Sequence, residues 1–153
     1  MTLSRRRLLG DAALTAIGLI GFRRLAFAQP GPPITVYKDP SCGCCAKWVD
    51  HMRANGFTAS VTETTDMDAI KVRYKVGEKL RSCHTTLAGG YVIEGHVPAD
   101  DVKRLLKEKP KGIAGLTIPG MPQSAPGMDL TPHRAYEVLS FDPAGATKVW
   151  AKR

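Results

Sequence analysis

The sequence predicts a single α/β domain with the element order strand, helix, strand, helix, hairpin, helix, followed by a loop rich in proline, glycine and methionine and a C-terminal β-hairpin. Three observations predict it. Short runs of β-branched and aromatic residues alternate with stretches whose apolar positions recur at helical spacing. Two strand-like runs are separated only by Gly89-Gly90, the signal of a two-residue hairpin. A length of 153 residues, 43% hydrophobic and 24% charged, suits one ordinary core and none of the disordered or fibrous classes.

The N-terminal segment is set apart before the charge is interpreted. Met1 to Ala28 carries an arginine cluster, an apolar run from Leu8 through Ile20, and Ala26-Phe27-Ala28 as a small-x-small cleavage site, the layout of an export signal. Ser4-Arg5-Arg6-Arg7-Leu8-Leu9 resembles the twin-arginine form of that signal. The domain is therefore expected over residues 29–153 and in the periplasm. The apolar run is short, and Asp11 interrupts it, whereas a span needs ~20 apolar residues; no stable membrane insertion is expected after cleavage. Removing residues 1–28 takes five arginines and one aspartate, and the net charge falls from +8 to +4. No basic stripe interleaved with aromatic residues remains, so nucleic acid is not an expected partner.

Within the domain, Ile34-Thr35-Val36-Tyr37 reads as the first strand, ended by Asp39-Pro40. Cys45, Trp48, Val49 and Met52 form an apolar stripe at helical spacing, with Asn55-Gly56 as the stop. Phe57 to Thr64 reads as a second strand, parallel to the first through a right-handed crossover. Thr65-Asp66 can cap a helix starting near Met67, with Met67, Ile70 and Tyr74 on its buried side. If Gly89 and Gly90 are the hairpin tip, paired positions sum to 179, which sets Cys83 opposite His96 and His84 opposite Gly95. Pro98 opens a third helix with Val102, Leu105 and Leu106 as its stripe, and Pro110 stops it. The segment Gly115 to Met128 is too rich in proline and glycine for regular structure and repeats Pro-Gly-Met seven residues apart, at Met121 and Met128. Ala135–Phe141 and Ala146–Trp150 read as the C-terminal hairpin around Asp142-Pro143.

The chemistry concentrates in Cys42-Gly43-Cys44-Cys45, which places three of the four cysteines at a strand-to-helix junction. Clustered thiols are reactive, and packing alone does not call for them. A C-x-x-C before a helix suits a thiol–disulfide oxidoreductase using Cys42 and Cys45, because a helix N-terminus stabilises a thiolate. The same thiols suit a soft metal. Cys42, Cys44, Cys45 and Cys83, with His84, His96, Met121 and Met128, offer more soft donors than one tetrahedral zinc takes, and thioethers add preference for Cu(I). Copper, as Cu(I), is the expected metal, with more than one ion possible, and zinc is the alternative. His51 and His133 are expected to be solvated or structural, and Met52 to be core.

The element order is that of a thioredoxin-like fold, in which the third strand runs antiparallel to the first and brings Cys42, Cys44 and Cys45 near Cys83, His84 and His96. Oxidoreductases of that fold carry a cis-proline just before the third strand, where this chain has Ser82-Cys83-His84-Thr85. Those residues, with Asp39-Pro40-Ser41-Cys42-Gly43-Cys44-Cys45, Lys47-Trp48, Gly90-Tyr91-Val92-Ile93-Glu94-Gly95-His96-Val97-Pro98-Ala99 and the two Pro-Gly-Met repeats, resemble domain of unknown function 411, which includes CopG-like proteins of copper-resistance operons. The resemblance runs from about Ile34 to Met128. It implies periplasmic copper binding in copper or heavy-metal tolerance, with other periplasmic copper-handling proteins as partners.

Overall fold

A computed structural model of the chain describes residues 31–153, so the predicted signal over residues 1–28 lies outside the described residues. From its start the chain forms β1 (Pro33–Lys38), α1 (Gly43–Ala54), β2 (Thr58–Glu63), α2 (Met67–Arg73), a short 3-10 turn (Glu78–Leu80), β3 (Thr85–Ala88), β4 (Tyr91–Glu94) and α3 (Ala99–Glu108). Then come β5 (Gly115–Thr117), β6 (Glu137–Phe141) and β7 (Thr147–Lys152). The strands join into one seven-stranded sheet in the order β2-β1-β3-β4-β5-β6-β7.

The local causes are legible in the residues. On α1 the buried positions are Cys45, Trp48, Val49 and Met52, the stripe its spacing predicts. Asp66 caps α2 by accepting the amide N–H of Ala69 at 2.9 Å. At the end of α3, Lys109 takes the left-handed conformation just before Pro110. Ile34 and Val36 alternate with half-buried neighbours along β1. They join Trp48, Val49 and Met52 of α1, Val102 and Leu105 of α3, and Ile93, Leu116 and Val138 of the sheet in one continuous core.

The pairing directions position the functional corner. β1 runs parallel to β2 and antiparallel to β3, with Tyr37 opposite Thr85. β3 and β4 pair antiparallel with Thr85 opposite Glu94 and Ala88 opposite Tyr91, the predicted sum of 179. β6 and β7 pair antiparallel, with a register shift at Val138/Leu139.

Two expectations are corrected. Gly115-Leu116-Thr117 is a strand, parallel to β4 and antiparallel to β6, where irregular chain was expected. All three of its residues are buried, and the glycine is what admits the strand: a Cβ on Gly115 would strike the carbonyl of Val92 and come within 2.7 Å of the Phe141 ring. On α2 the buried residue is Lys71, while Met67, Ile70 and Tyr74 are only half-buried. Lys71 lies one helical turn from Met67 and points its charge inward because a buried carboxylate receives it.

Gly115→Ala is expected to destabilise the domain by about 1–3 kcal/mol through overpacking against backbone. A urea denaturation midpoint equal to that of the wild type would contradict the placement of β5.

Candidate metal centre

Asp39-Pro40-Ser41 turns the chain out of β1 and into α1. Asp39 Oδ1 accepts the amide N–H of Ser41 at 2.8 Å and also its hydroxyl. These bonds hold the Asp39 carboxyl below its usual range. Cys42 N–H then donates to Asp39 O at 3.1 Å, and Cys42 becomes the N-cap of α1 without a side-chain capping bond. The first-turn N–H groups are left without a side-chain acceptor, an environment that favours negative charge on nearby sulfur.

Cys42 and Cys45 are joined by a disulfide, whereas Cys44 and Cys83 are free. In this oxidised state neither sulfur carries a charge to offer, and the pair that closes is the C-x-x-C pair. The reason is geometric: an N-cap and the third helical residue bring their Cα atoms to 5.4 Å, inside the disulfide range. Cys44 Sγ lies 3.5 Å from Cys42 Sγ. All four sulfurs fall within 4.8 Å of one another, and a second, overlapping group joins Cys45 and Cys83 to His84 and His96 within the same limit.

The two imidazoles are held differently. His96 Nδ1 is 2.7 Å from the carbonyl of Pro126, which can only accept, so Nδ1 carries the proton and donates it. Its Nε2 therefore presents a lone pair to Cys83 Sγ at 3.0 Å. This is the arrangement by which a backbone carbonyl fixes the tautomer of a ligating histidine. His84 is fully buried, packs at a 48° tilt against Trp48 with 4.4 Å between centroids and meets the His96 ring edge-on at 5.0 Å. Its Nδ1 is 3.4 Å from Cys83 Sγ, and its Nε2 has no hydrogen-bond partner among the described residues. A buried polar atom left unpaired costs about 1–3 kcal/mol, which a bound ion or water at that nitrogen would relieve. Trp48 is itself fixed, its indole N–H donating to Val97 O at 2.9 Å.

Burial lowers the pKa of both histidines, that of His84 well below the ordinary value, with the neighbouring His96 and Lys71 adding to the effect. Neutral imidazole is the form that ligates metal. Burial also pushes the Cys83 thiol up to about 11, with Cys44 adding to the shift. A bare Cys83 thiolate is thus disfavoured, and a cation beside it would offset that cost in place.

The family described as protein of unknown function, DUF411, matches residues 80–128. Two solved structures named copper resistance protein CopG, forms 1 and 2, are each 37% identical, with a TM-score of 0.75, covering 80% of this chain and 98% of theirs. The chain belongs to this DUF411, CopG-like family. No curated protein matches it.

In this DUF411 chain the two Pro-Gly-Met repeats dock beside the two cysteine-bearing segments. Gly120 O accepts the hydroxyl of Ser82, the neighbour of Cys83. Gly127, with φ +85°, packs so closely on α1 that a Cβ there would lie 2.8 Å from Trp48 N and 2.9 Å from Cys44 O. The adjacent methionines differ: Met121 is 54% exposed, while Met128 is half-buried. His51 accepts the amide N–H of Ala99 at 3.2 Å and so serves the start of α3, and His133 is exposed, in line with the structural and solvated roles expected for them. Sequence reasoning missed the carbonyl of Pro126, the tilted Trp48–His84 contact and the buried Lys71–Glu94 pair. Of these only Glu94 left a signal, as a carboxylate in an apolar strand two residues from His96.

Because the Cys83 pKa is raised, its alkylation in the metal-free protein is expected to accelerate about tenfold per pH unit between pH 7 and 10, as the small thiolate fraction grows. Peptide-resolved iodoacetamide labelling reads this; a Cys83 rate already level by pH 9 would contradict it.

Proposed function

We propose that this chain is a periplasmic copper-binding protein of copper or heavy-metal resistance, built on a thioredoxin-like unit and taking Cu(I) as cargo once the Cys42–Cys45 disulfide is reduced. The observation that carries the proposal is the convergence of four sulfurs and two neutral imidazoles at one corner, in two overlapping groups. Thiolate with imidazole is a soft donor set, which suits Cu(I) and leaves more donors than a single tetrahedral zinc needs. The names of the two similar structures support the same metal.

In this proposal Cys42, Cys45 and Cys83 are the central sulfur ligands, Cys44 is the fourth, and His96 and His84 supply nitrogen. Met121 and Met128 complete or shield the site from the loop over residues 118–136, whose two Gly-Met turns already abut the cysteine segments. The strand order β2-β1-β3-β4, with β1 parallel to β2 and antiparallel to β3, supports the thioredoxin-like reading of residues 33–108. Other periplasmic copper-handling proteins would deliver or receive the ion. The predicted signal over residues 1–28 supports the location, and no helix among the described residues is long and apolar enough to cross a membrane.

The disulfide also favours a second function, thiol–disulfide exchange at Cys42–Cys45, in which a substrate thiolate attacks the partly exposed Cys42 sulfur and Cys45, in the first turn of α1 where free N–H groups favour negative charge, leaves as the thiolate. Cys83 is poorly suited to a part in it, since a thiol with a pKa near 11 is almost wholly protonated at neutral pH.

Anaerobic titration of the reduced protein with Cu(I) against a competing chelator separates the two. At least one equivalent of Cu(I) is expected to resist the competitor, and Cys83→Ser or Cys42→Ser should weaken retention by tenfold or more. Reduced protein that loses all Cu(I) to the chelator while turning over a dithiol substrate would overturn the copper proposal. Stoichiometric zinc with no copper would move the assignment to zinc.

A further inference from the structure

Directly behind the Cys83-His84 pair lies a buried ion pair to which the metal site gives no role. Lys71 of α2 is 5% exposed and Glu94, at the end of β4, is 0% exposed, with Nζ in contact with Oε1. The same Oε1 accepts the amide N–H of Ser82 at 2.7 Å, and Oε2 accepts the hydroxyl of Thr85 at 2.7 Å. Lys71 Nζ lies 3.3 Å from the Thr85 hydroxyl as well. Ser82 and Thr85 are the residues immediately before Cys83 and after His84. One carboxylate therefore grips both ends of the two-residue segment that presents a sulfur and an imidazole to the cluster.

Fold stability gives a poor account of this arrangement. Desolvating two charges costs several kcal/mol per ion, and well-packed apolar residues of similar volume often serve stability equally well. What an apolar pair cannot do is hold a backbone N–H and a hydroxyl at fixed points. Gly95 sharpens the fit from the other side: a Cβ on it would strike the Ser82 side chain and lie 3.0 Å from Ile118 O, so Ser82 is seated tightly between β4 and the chain after β5. Outer hydrogen bonds of this kind set the direction of ligands, and their loss costs about 10–100-fold in metal affinity.

We propose that Glu94, with Lys71 as its counter-charge, is a positioning residue that holds Cys83 and His84 in the geometry the donor cluster requires. The inference rests on Cys83 being a ligand, as proposed above, but its effect on Cys83 exists before any metal binds. Lys71→Met combined with Glu94→Leu removes the clamp and leaves no buried charge unpaired, so the variant is expected to fold. Its reduced form should bind Cu(I) about 10–100-fold more weakly than the wild type. In metal-free protein at one fixed pH, its Cys83 should alkylate several-fold faster, with Cys44 unchanged. Lys71→Met combined with Glu94→Gln keeps an acceptor for Ser82 N–H and should recover part of both losses.

A folded Lys71→Met/Glu94→Leu protein with wild-type Cu(I) affinity and wild-type Cys83 reactivity would overturn the inference. Should that variant fail to fold, Thr85→Val removes one arm of the grip without touching charge; faster Cys83 alkylation upholds the inference and an unchanged rate overturns it. If the reduced wild type holds no Cu(I), the copper proposal falls, while the metal-free alkylation comparison still decides the role of Glu94.

Discussion

The antiparallel pairing of β1 with β3 is the constraint on which the site depends. With Tyr37 opposite Thr85, the chain that leaves β1 toward Cys42 and the chain that enters β3 through Cys83 must lie side by side. The hairpin then folds β4 back so that its end, and with it His96, arrives at the same corner. A slip of one residue in either ladder would turn every side chain to the opposite face, so the buried faces of β1, β3 and β4 enforce the register that the cluster needs. Three segments far apart in sequence are thereby brought to one corner by strand pairing and the burial that fixes its register.

Burial then gives the corner its chemical character. The same exclusion of water that raises the Cys83 pKa lowers those of both imidazoles, which makes the site inhospitable to bare charge. The charge that the fold does tolerate there is paired: Lys71 and Glu94 cancel, and the carboxylate is used up in bonds to Ser82 and Thr85. Cys42 and Cys45 stand apart, since they are joined as a disulfide that only reduction would open into two further donors. The donor count of the site therefore depends on redox state, and the two functions weighed for the protein draw on the same pair of sulfurs.

Much of this was legible in one dimension because it followed from periods and turn chemistry. The stripe of Cys45, Trp48, Val49 and Met52 repeats at helical spacing, and two glycines at a tip leave one register for the strands around them. The failures have equally specific causes. β5 escaped notice because three residues opening on glycine carry no periodicity, and its identity comes from neighbours on both edges that supply its hydrogen bonds. Lys71 escaped notice because a lysine on a helix ordinarily faces water, and only the carboxylate of Glu94, 23 residues away, makes burial tolerable. The carbonyl of Pro126 had no signal at all, since any residue offers a carbonyl and only the path of the loop aims this one at His96.

The sequence by itself determined the donor inventory, the strand-to-helix junction that carries three thiols and the cross-strand match of Cys83 with His96, because residue chemistry and short-range geometry suffice for each. Only the tertiary structure decided which nitrogen of His96 is free to bind and what holds Cys83 and His84 in place. Those outcomes depend on distances of 2.7–3.0 Å between groups on different elements, and such distances exist only once the sheet has closed around them.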